Sequence, residues 1–573
     1  MVTFSASSRA FVIFAVVGLL AMVPFAAAQT TTAPQATLPN ADRVAGTVVS
    51  KTDGHPLARA RVTLRDTKDS RKFESQVTAE DGKFEFHGVP PGKYSLTGAK
   101  RGFITAAYDQ HDQFSTAIVT GAGIDTDALV LRLAPAAMIS GKILDESGEP
   151  VRHASVTLYY RDHSSGVDEI HQSHGGQTDD QGEYEIPSLM PGTYFLSASA
   201  KPWYALHPQS EQPGARSRRK SQPDPTENFD RSLDVAYPVT YYSDVTETDS
   251  ATAIPIRGGE HLQLDIHLNP VPSLHLLFHV PAPADHGYTI PQLEQPAFDG
   301  ATFVQADSTR VISPGLVEIS GVPAGRYNVL IREPGQPGVS VRMNGVDVAR
   351  DHQEINSNSA EAVSSVKVSV KVPGATTLPD RLSIGLRSSA RNFSGGKPVD
   401  AKGEVELPQM APGRYEVMVW GPPQPYSIQQ MSAEGATVSG HAVILPPGAS
   451  ATISLTLVAG SSNIEGTAKH AGKPFAGAMV VLVPTEVAKG VGQDPETSRD
   501  LFRRDQSDLD GTFSLRNVVP GSYILLAIEN GWDLDWSQPA AIGPYLSHGQ
   551  AIQVGPQVGR TMKIAEGVEV QSR

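Results

Sequence analysis

The sequence of 573 residues predicts an all-β protein, built as a tandem array of about five β-sandwich modules that follow a signal peptide. The first observation behind this prediction is a tetrad, Pro-Gly-x-Tyr, which recurs with its tyrosines at Tyr94, Tyr194, Tyr415 and Tyr523 and in a variant form at Tyr327. Successive tyrosines are 100, 133, 88 and 108 residues apart, close to the size of one β-sandwich domain, about 100 residues. The second observation is that apolar residues alternate on both sides of each tetrad, as they do in strands with one buried face.

Each tetrad is predicted to form the tight turn of a β-hairpin. In the first copy Phe84 and Phe86 precede the tetrad, and Tyr94 and Leu96 follow it with the same period of two. Proline fixes φ and the next glycine tolerates a positive φ, which suits a tight turn. In three copies an acidic residue and a glycine start the first of the two strands, at Asp81-Gly82, Asp180-Gln181-Gly182 and Asp510-Gly511.

Three of the copies share a second pattern, which lies ahead of the tetrad. A strand that begins with glycine is followed by a proline and, four residues later, by an alanine that opens an alternating apolar run. These pairs are Pro56 and Ala60, Pro150 and Ala154, and Pro474 and Ala478. The constant spacing predicts one common fold for the first, second and fifth modules. The third and fourth modules keep the tetrad and some alternation but lose this pattern, so they are predicted to be degenerate sandwiches.

These repeats and the N-terminal sequence divide the chain into predicted units. They are a signal peptide over 1–28, a linker over 29–41, module 1 over 42–134, module 2 over 135–270 with a long insertion at 201–250, module 3 over 271–350, module 4 over 351–458 and module 5 over 459–573. The signal peptide is predicted because Arg9 precedes an apolar run that ends in three alanines, with cleavage expected after Ala28. An uncleaved membrane anchor is the alternative.

Composition excludes several classes of protein. The chain has 47 Lys and Arg against 61 Asp and Glu, a formal charge of −14, so it has no general electrostatic attraction to nucleic acid or to an anionic membrane. It has no cysteine, which excludes disulfides, thiolate metal sites and cysteine nucleophiles. No His-x-x-Glu, His-Glu-x-x-His, Gly-x-Ser-x-Gly or glycine-rich phosphate-binding motif is present. We therefore predict no catalytic residues, no enzyme activity and no cofactor.

The order of these motifs resembles the carboxypeptidase regulatory-like domain. The matching residues of the first copy are Gly46-x-Val48, Gly54-x-Pro56-Leu57, Ala60-x-Val62-x-Leu64, Asp81-Gly82 and Pro91-Gly92-Lys93-Tyr94. The resemblance implies an Ig/transthyretin-like (prealbumin-like) β-sandwich, related in shape to Cna-B modules and starch-binding-type folds, with a noncatalytic accessory or binding role. It covers modules 1, 2 and 5 well and modules 3 and 4 in part. Long exported arrays of this kind are similar to acidobacterial surface or periplasmic proteins.

Two groups of aromatic residues are candidate ligand-binding positions. The first, in the insertion of module 2, consists of Trp203, Tyr204, Tyr237, Tyr241 and Tyr242. The second, in module 5, consists of Trp532 and Trp536. Exposed flat rings stack on the apolar faces of sugars or anchor a protein partner. The alternative is that the same rings cover a sandwich core or a contact between modules.

A group of histidines in module 2 is the weak candidate for a metal site. His163, His171 and His174 lie among acidic residues, and imidazole with carboxylate suits zinc or nickel. Their irregular spacing beside serines and glycines favours a solvated loop, so no metal is predicted.

These observations lead to one functional hypothesis and one alternative. The hypothesis is a secreted, periplasmic or cell-surface rod of β-sandwich modules that binds carbohydrate or another cell-surface component, without nucleic acid and without membrane insertion after signal cleavage. The alternative is a structural spacer or an adhesin that binds protein partners.

Overall fold

The computed structural model describes residues 42–573, except 122, 208–229, 281–289, 305, 332–340, 357–363, 376, 380, 389–392, 411, 422–425, 440–441, 460–461, 489–500, 519 and 556–559. The predicted signal peptide and linker, and the basic run at 216–220, lie outside the described residues. None of the helices in the described part of the chain is both long enough and apolar enough to cross a membrane. The predicted all-β fold class is confirmed, because strands make up nearly all of the regular structure.

Module 1 is a sandwich of two sheets. Its strands are β1 (Asp42–Ser50), β2 (Arg61–Asp66), β3 (Phe73–Val77), β4 (Lys83–Val89), β5 (Gly92–Ala99), β6 (Ala106–Ala107), β7 (Ile118–Thr120) and β8 (Leu129–Leu133). One sheet has the order β4-β1-β8, and the other has the order β3-β2-β5-β6 with β7 also on β5. Val48, Phe86, Leu96 and Leu131 are fully buried between the sheets.

Module 2 repeats this arrangement and adds the insertion. Its strands are β9 (Ala137–Leu144), β10 (Ser155–Asp162), β11 (Glu169–Gln177), β12 (Glu183–Leu189), β13 (Gly192–Ser199), β14 (Val235–Ala236), β15 (Thr240–Tyr241), β16 (Ile254–Ile256), β17 (His261–Gln263), β18 (Ile266–His267) and β19 (Val271–Pro272). The sheet β12-β9-β17, with β18 also on β9, faces the sheet β11-β10-β13-β15, with β16 also on β13. Strands β14 and β19 form a separate pair, and single 3-10 turns cover Arg231–Leu233 and Thr248–Ser250.

Modules 3 and 4 also contain two sheets each. Module 3 has β20 (Leu274–His279), β21 (Pro291–Ala297), β22 (Gly300–Val304), β23 (Ser308–Ser313), β24 (Leu316–Val322), β25 (Gly325–Ile331), β26 (Val341–Val348) and β27 (Gln353–Asn356), in the sheets β23-β24-β20-β27 and β22-β21-β25-β26. Module 4 has β28 (Ser364–Lys371), β29 (Ser383–Ser388), β30 (Phe393–Pro398), β31 (Glu404–Met410), β32 (Gly413–Trp420), β33 (Tyr426–Glu434), β34 (Thr437–Ser439), β35 (Ala442–Leu445) and β36 (Ser450–Ala459), in the sheets β31-β28-β36-β33 and β30-β29-β32-β35-β34. Because β27 pairs with β20, module 3 runs past the predicted boundary at residue 350.

Module 5 joins its two sheets through its last strand. It has β37 (Ser462–His470), β38 (Lys473–Pro474), β39 (Met479–Pro484), α1 (Thr485–Ala488), β40 (Arg503–Gln506), β41 (Thr512–Val518), β42 (Gly521–Ile528), a 3-10 turn (Gly531–Asp533), α2 (Pro539–Leu546), β43 (Gln550–Val554), β44 (Thr561–Lys563) and β45 (Val568–Gln571). Strand β45 pairs in parallel with both β37 and β42, which makes one nine-stranded sheet.

All five modules share one topology. The first strand lies between an antiparallel partner that precedes the tetrad and a parallel partner near the end of the module, as β1 lies between β4 and β8. The same holds for β9, β20, β28 and β37. In module 1 the close parallel partner explains the glycine of the first strand, since a Cβ at Gly46 would lie 2.1 Å from the carbonyl oxygen of Leu129. Modules 3 and 4 therefore keep the two-sheet arrangement despite their divergent sequences.

The prediction that the tetrad forms a hairpin is wrong. Strand β4 pairs with β1 in one sheet, whereas β5 pairs with β2 in the other, so the tetrad carries the chain from one sheet to the opposite one. Both strands alternate because they bury one face in the same core from opposite sides. The tyrosine hydroxyl donates a hydrogen bond to the carbonyl oxygen four residues upstream in modules 1, 2 and 3, as in the tyrosine corner of Ig-like sandwiches.

In modules 1, 3 and 5 the tetrad glycine lies against the tyrosine ring of the corner. A Cβ at Gly92 would lie 3.4 Å from the ring of Tyr94, and similar distances are found at Gly325 and Gly521. Module 4 differs, because its tetrad glycine, Gly413, has a positive φ of 145°. The recurrent tetrad is thus a corner motif that connects the sheets.

The chain is not the extended rod that the tandem repeats predict, because module 5 packs against modules 1 and 2. Asp508 pairs with Lys93 of module 1 at 2.5 Å and accepts a hydrogen bond from the backbone of Ala117. Ser537 donates a hydrogen bond to the carbonyl oxygen of Gly166 in module 2 at 2.7 Å. The first and last modules are therefore neighbours in space.

Candidate ligand-binding site

Trp203 is the most exposed of the candidate aromatic residues. It follows the end of β13, and 83% of its surface is accessible. Tyr204 lies against it edge to face, with the ring centroids 5.8 Å apart. Lys201 and Pro202 precede the pair, and Lys201 is anchored to Asp307 of module 3 at 3.1 Å. A fixed backbone thus presents one large ring to solvent beside a second ring, and we call Trp203 and Tyr204 the aromatic platform.

A carboxylate lies beneath this platform. Glu146, in the turn after β9, accepts hydrogen bonds from the hydroxyls of Tyr204 and Tyr237, the latter at 2.8 Å. Burial opposes ionisation of Glu146, but the Tyr204 hydroxyl, the backbone N–H of Glu146 and the Tyr237 hydroxyl together outweigh burial and lower the pKa of this carboxyl. Burial and the hydrogen bond to Glu146 raise the pKa of Tyr204 to about 12. The platform therefore combines an exposed ring with an ionised acceptor, which suits a ligand that has an apolar face and hydroxyl donors.

Three other candidate residues of the insertion pack into module 2. Tyr237 and Tyr241 are buried, and Tyr242 is partly buried against the core. The ring of Tyr241 contacts Tyr159 and Phe298 at the contact with module 3. Tyr237 and Tyr241 therefore pack in the interior and do not present a ring face to solvent. Their role corresponds to the alternative that these rings cover a sandwich core or a contact between modules.

Trp532 and Trp536 lie in the contact between module 5 and its neighbours. Both are largely buried, and Trp532 stacks on His111 of module 1 at 5.1 Å. The guanidinium of Arg504 lies 4.4 Å from the ring centre of Trp536 and forms an ion pair with Asp112 at 3.2 Å. The two tryptophans thus hold modules together.

The three predicted metal candidates do not converge. His163 faces Asp535 of module 5 at 3.3 Å, and His171 faces Asp162 at 3.7 Å. His174 is exposed on β11. Among the described residues, none of these three belongs to a group of three or more potential metal-ligand atoms.

A different set of histidines converges where modules 2 and 3 meet. His207, Asp234 and His275 place ligand atoms within 4.8 Å of one another. The hydrogen bond to Asp307, aided by Asp234, raises the pKa of His207 against the opposing effect of burial. No local sequence pattern marks this cluster, because its members are up to 68 residues apart in two modules. Glu146 was missed for a similar reason, since only the fold brings it to Tyr204 and Tyr237.

A cleft of about 1140 Å³ opens where modules 1, 2 and 5 meet. Its lining includes His111, Asp112, Tyr160, Arg504 and Trp532. Arg504 and Trp532 also make the contacts between modules described above. The cleft is therefore part of the module contact, and the aromatic platform is the more independent candidate for a ligand.

Comparison with known proteins confirms the resemblance to the carboxypeptidase regulatory-like domain in two segments of the chain. The family model of the carboxypeptidase regulatory-like domain matches residues 43–123 and 138–209. No curated protein matches the chain. Among solved structures, the Bacillus anthracis TIE protein aligns at 10% identity over 73% of this chain and 74% of that chain, with a TM-score of 0.17. GBS52, the minor pilin of Streptococcus agalactiae, aligns at 14% identity over 40% and 96%, with a TM-score of 0.20.

A third solved structure contains two B repeat units of the collagen binding protein of Staphylococcus aureus. It aligns at 10% identity over 73% of this chain and 99% of that chain, with a TM-score of 0.12. At these TM-scores the structural alignments contribute nothing to the assignment, which depends on the family model and on the shared topology. Modules 1 and 2 of this chain are therefore carboxypeptidase regulatory-like domains.

Proposed function

We propose that this protein is an exported, noncatalytic binding protein that recognises carbohydrate on a cell surface through the aromatic platform of module 2. The observation that carries the proposal is the 83% exposure of Trp203 beside Tyr204 and the Glu146 carboxylate. Trp203 presents a large flat apolar face to water, and burial of that face under a ligand would be favourable. Sugar rings have an apolar face that stacks on such a ring and hydroxyls that donate to a carboxylate.

The position of the platform also supports binding. It lies on the insertion between β13 and β14, where a rigid sandwich carries a variable connection, and binding residues are often found on such connections. The other exposed large apolar side chains of the described residues include Phe73 and Phe303. Among the described residues, neither of these rings lies beside a second aromatic ring whose hydroxyl is bound to a carboxylate, as Trp203 does.

The experiment is a glycan array with the chain from residue 29 to residue 573, followed by calorimetric titration of the best sugar. Trp203→Ala is expected to weaken binding about five- to thirtyfold, because one stacked ring contributes about 1–2 kcal/mol. The melting temperature is expected to stay within about 1 °C, since Trp203 packs little. Phe73→Ala removes another exposed ring, 59% accessible, from module 1 and is the control.

The result that would contradict the proposal is equal sugar binding by wild type and Trp203→Ala, or no binding to any glycan by a folded sample. The second candidate function is an adhesin that binds a protein partner through the same platform. Capture of one defined surface protein by wild type and not by Trp203→Ala, without sugar binding, would favour it. The closed contact of module 5 with modules 1 and 2 does not support a simple extended spacer.

A further inference from the structure

The junction of modules 2 and 3 contains a polar cluster with a distinctive arrangement. His207 and Asp234 lie at either end of the part of the insertion outside the described residues, and His275 is on β20 of module 3. All three side chains are largely buried, and that of His275 is 2% exposed. Buried ionisable groups are costly unless they are paired or bind a cation, so their partners decide what the cluster does.

Each histidine is held by a carboxylate on its outer ring nitrogen. Asp351 accepts from both the backbone N–H and the Nδ1 of His275, each at 2.9 Å. Asp307 lies 2.6 Å from Nε2 of His207. The carboxylate of Asp351 fixes the tautomer of His275 with the proton on Nδ1 and leaves Nε2 with a lone pair, as in the carboxylate–histidine pairs around protein-bound zinc.

The inner nitrogens face the carboxylate of Asp234. Nδ1 of His207 lies 2.8 Å from one oxygen of Asp234, and Nε2 of His275 lies 3.7 Å from the other. Nε2 of His275 is buried and has no hydrogen-bond partner among the described residues. A lone pair and a carboxylate oxygen at this distance repel each other unless a positive ion lies between them.

We infer that His207, Asp234 and His275 form a site for a divalent transition-metal ion, with zinc as the expected occupant. Zinc binds imidazole nitrogen and carboxylate oxygen at about 2.0–2.2 Å, so two ligands of one zinc ion are less than about 4.2 Å apart. The two separations from Asp234, 2.8 Å to His207 and 3.7 Å to His275, fit this limit, and all three ligand atoms lie within 4.8 Å of one another. Two imidazoles favour zinc over calcium or magnesium, which prefer oxygen ligands.

The surrounding charges favour a cation. Three carboxylates, those of Asp234, Asp307 and Asp351, surround the two histidines, and Lys201 is paired with Asp307 alone. His352 stacks on His275 at 5.5 Å and covers one side of the cluster. The ligands come from the insertion of module 2 and from β20 of module 3, so a bound ion would link the two modules. One of these ligands, His207, lies four residues after Trp203 in the sequence.

The test uses the chain from residue 29 to residue 573, stripped with chelator and titrated with zinc by calorimetry and with cobalt(II) by absorption spectroscopy. We expect one ion per chain and a cobalt spectrum typical of mixed nitrogen and oxygen ligands. Asp234→Asn and His275→Gln are expected to weaken binding more than about 100-fold. Asp351→Asn, which changes only an outer partner, is expected to weaken it about 10–100-fold.

The control is His174→Gln, an exposed histidine of module 2 that should bind like wild type. Circular dichroism in chelator establishes that each variant is folded, and Asp351→Asn keeps the test decisive where a ligand variant fails to fold. Zinc should also raise the melting temperature of wild type and not that of Asp234→Asn. Fewer than about 0.2 ions per folded chain, or equal affinity in wild type and Asp234→Asn, would overturn the inference.

Discussion

Two junctions between modules differ in the groups that pair with their buried carboxylates. At the junction of modules 1 and 5, fixed cations meet carboxylates, as Arg504 meets Asp112 and Lys93 meets Asp508. At the junction of modules 2 and 3, carboxylates and imidazoles meet one another, with Lys201 as their paired cation. The first junction contains its own counterions and holds modules 1 and 5 together. The second has three carboxylates around its histidines and one paired lysine, an excess of acid that a bound metal ion would offset, and it lies next to the exposed platform.

The largest expected effect is at Arg504. Its side chain is almost fully buried between Trp536, Trp532 and Phe114. Arg504→Ala removes these contacts and leaves Asp112 without its cation, so we expect a loss of about 3 kcal/mol in the free energy of unfolding of module 5. Fluorescence of Trp532 and Trp536 during urea denaturation measures it.

The control for this variant is Arg326→Ala, which removes an exposed arginine of module 3. It should change the urea midpoint little. Equal midpoints for wild type and Arg504→Ala would show that the junction of modules 1 and 5 contributes no stability.

The second prediction concerns the aromatic contacts at the junction of modules 2 and 3. Phe298 of module 3 contacts Tyr159 and Phe195 of module 2 with ring centroids 4.9 and 4.8 Å apart. Phe298 is partly buried, so Phe298→Ala is expected to cost about 2 kcal/mol, less than a fully buried phenylalanine. Differential scanning calorimetry would detect it, and Phe303→Ala, which is exposed in the same module, is the matched control.

The third prediction is a dependence on pH at the junction of modules 1 and 5. Burial raises the pKa of Asp505 to about 6, and burial also raises the pKa of Asp508 despite its pairing with Lys93. A carboxyl with a raised pKa in the folded state binds more protons when folded, so module 5 should gain stability as the pH falls from 7 to 5.

The expected gain is about 1–2 kcal/mol, at about 1.4 kcal/mol per unit of pKa difference. Urea denaturation at pH 7, 6 and 5 measures it. Asp505→Asn should flatten the dependence, and an unchanged slope in this variant would rule out Asp505 as its source.

The smallest effect is expected at the tyrosine corner. Tyr194→Phe removes the hydrogen bond from the hydroxyl to the carbonyl oxygen of Met190, 2.8 Å long, and should destabilise module 2 by about 1 kcal/mol. Tyr160→Phe, in the same core and in contact with Tyr194, is the control. Equal losses in both variants would mean that the corner hydrogen bond has no special role.

The sequence predicted the local pattern well because local pattern depends on neighbours in the chain. The alternation around Phe84, Phe86 and Leu96 correctly predicts two strands that bury one face. The same alternation does not determine how the strands pair, because strands joined by a hairpin and strands joined by a crossing between sheets both have an apolar period of two residues. The pattern of the tetrad therefore predicts a hairpin, whereas in the fold the tetrad is a corner between two sheets.

The candidate site was only partly predictable for a related reason. The exposure of Trp203 and the burial of Tyr241, Trp532 and Trp536 depend on contacts between distant segments. The pairing of Glu146 with Tyr204 and the convergence of His207 with His275 also span different parts of the chain. Aromatic composition could identify the region but could not separate a binding ring from a packing ring.

Module 5 packs against modules 1 and 2 and leaves the platform of module 2 exposed. The chain has no cysteine, so the pair Lys68→Cys and Arg516→Cys can carry spin labels on two exposed residues that line one cleft between modules 1 and 5. Double electron–electron resonance should give a short, narrow distance distribution that broadens and lengthens when Arg504→Ala is added. A long, broad distribution in the parent chain would contradict the closed arrangement.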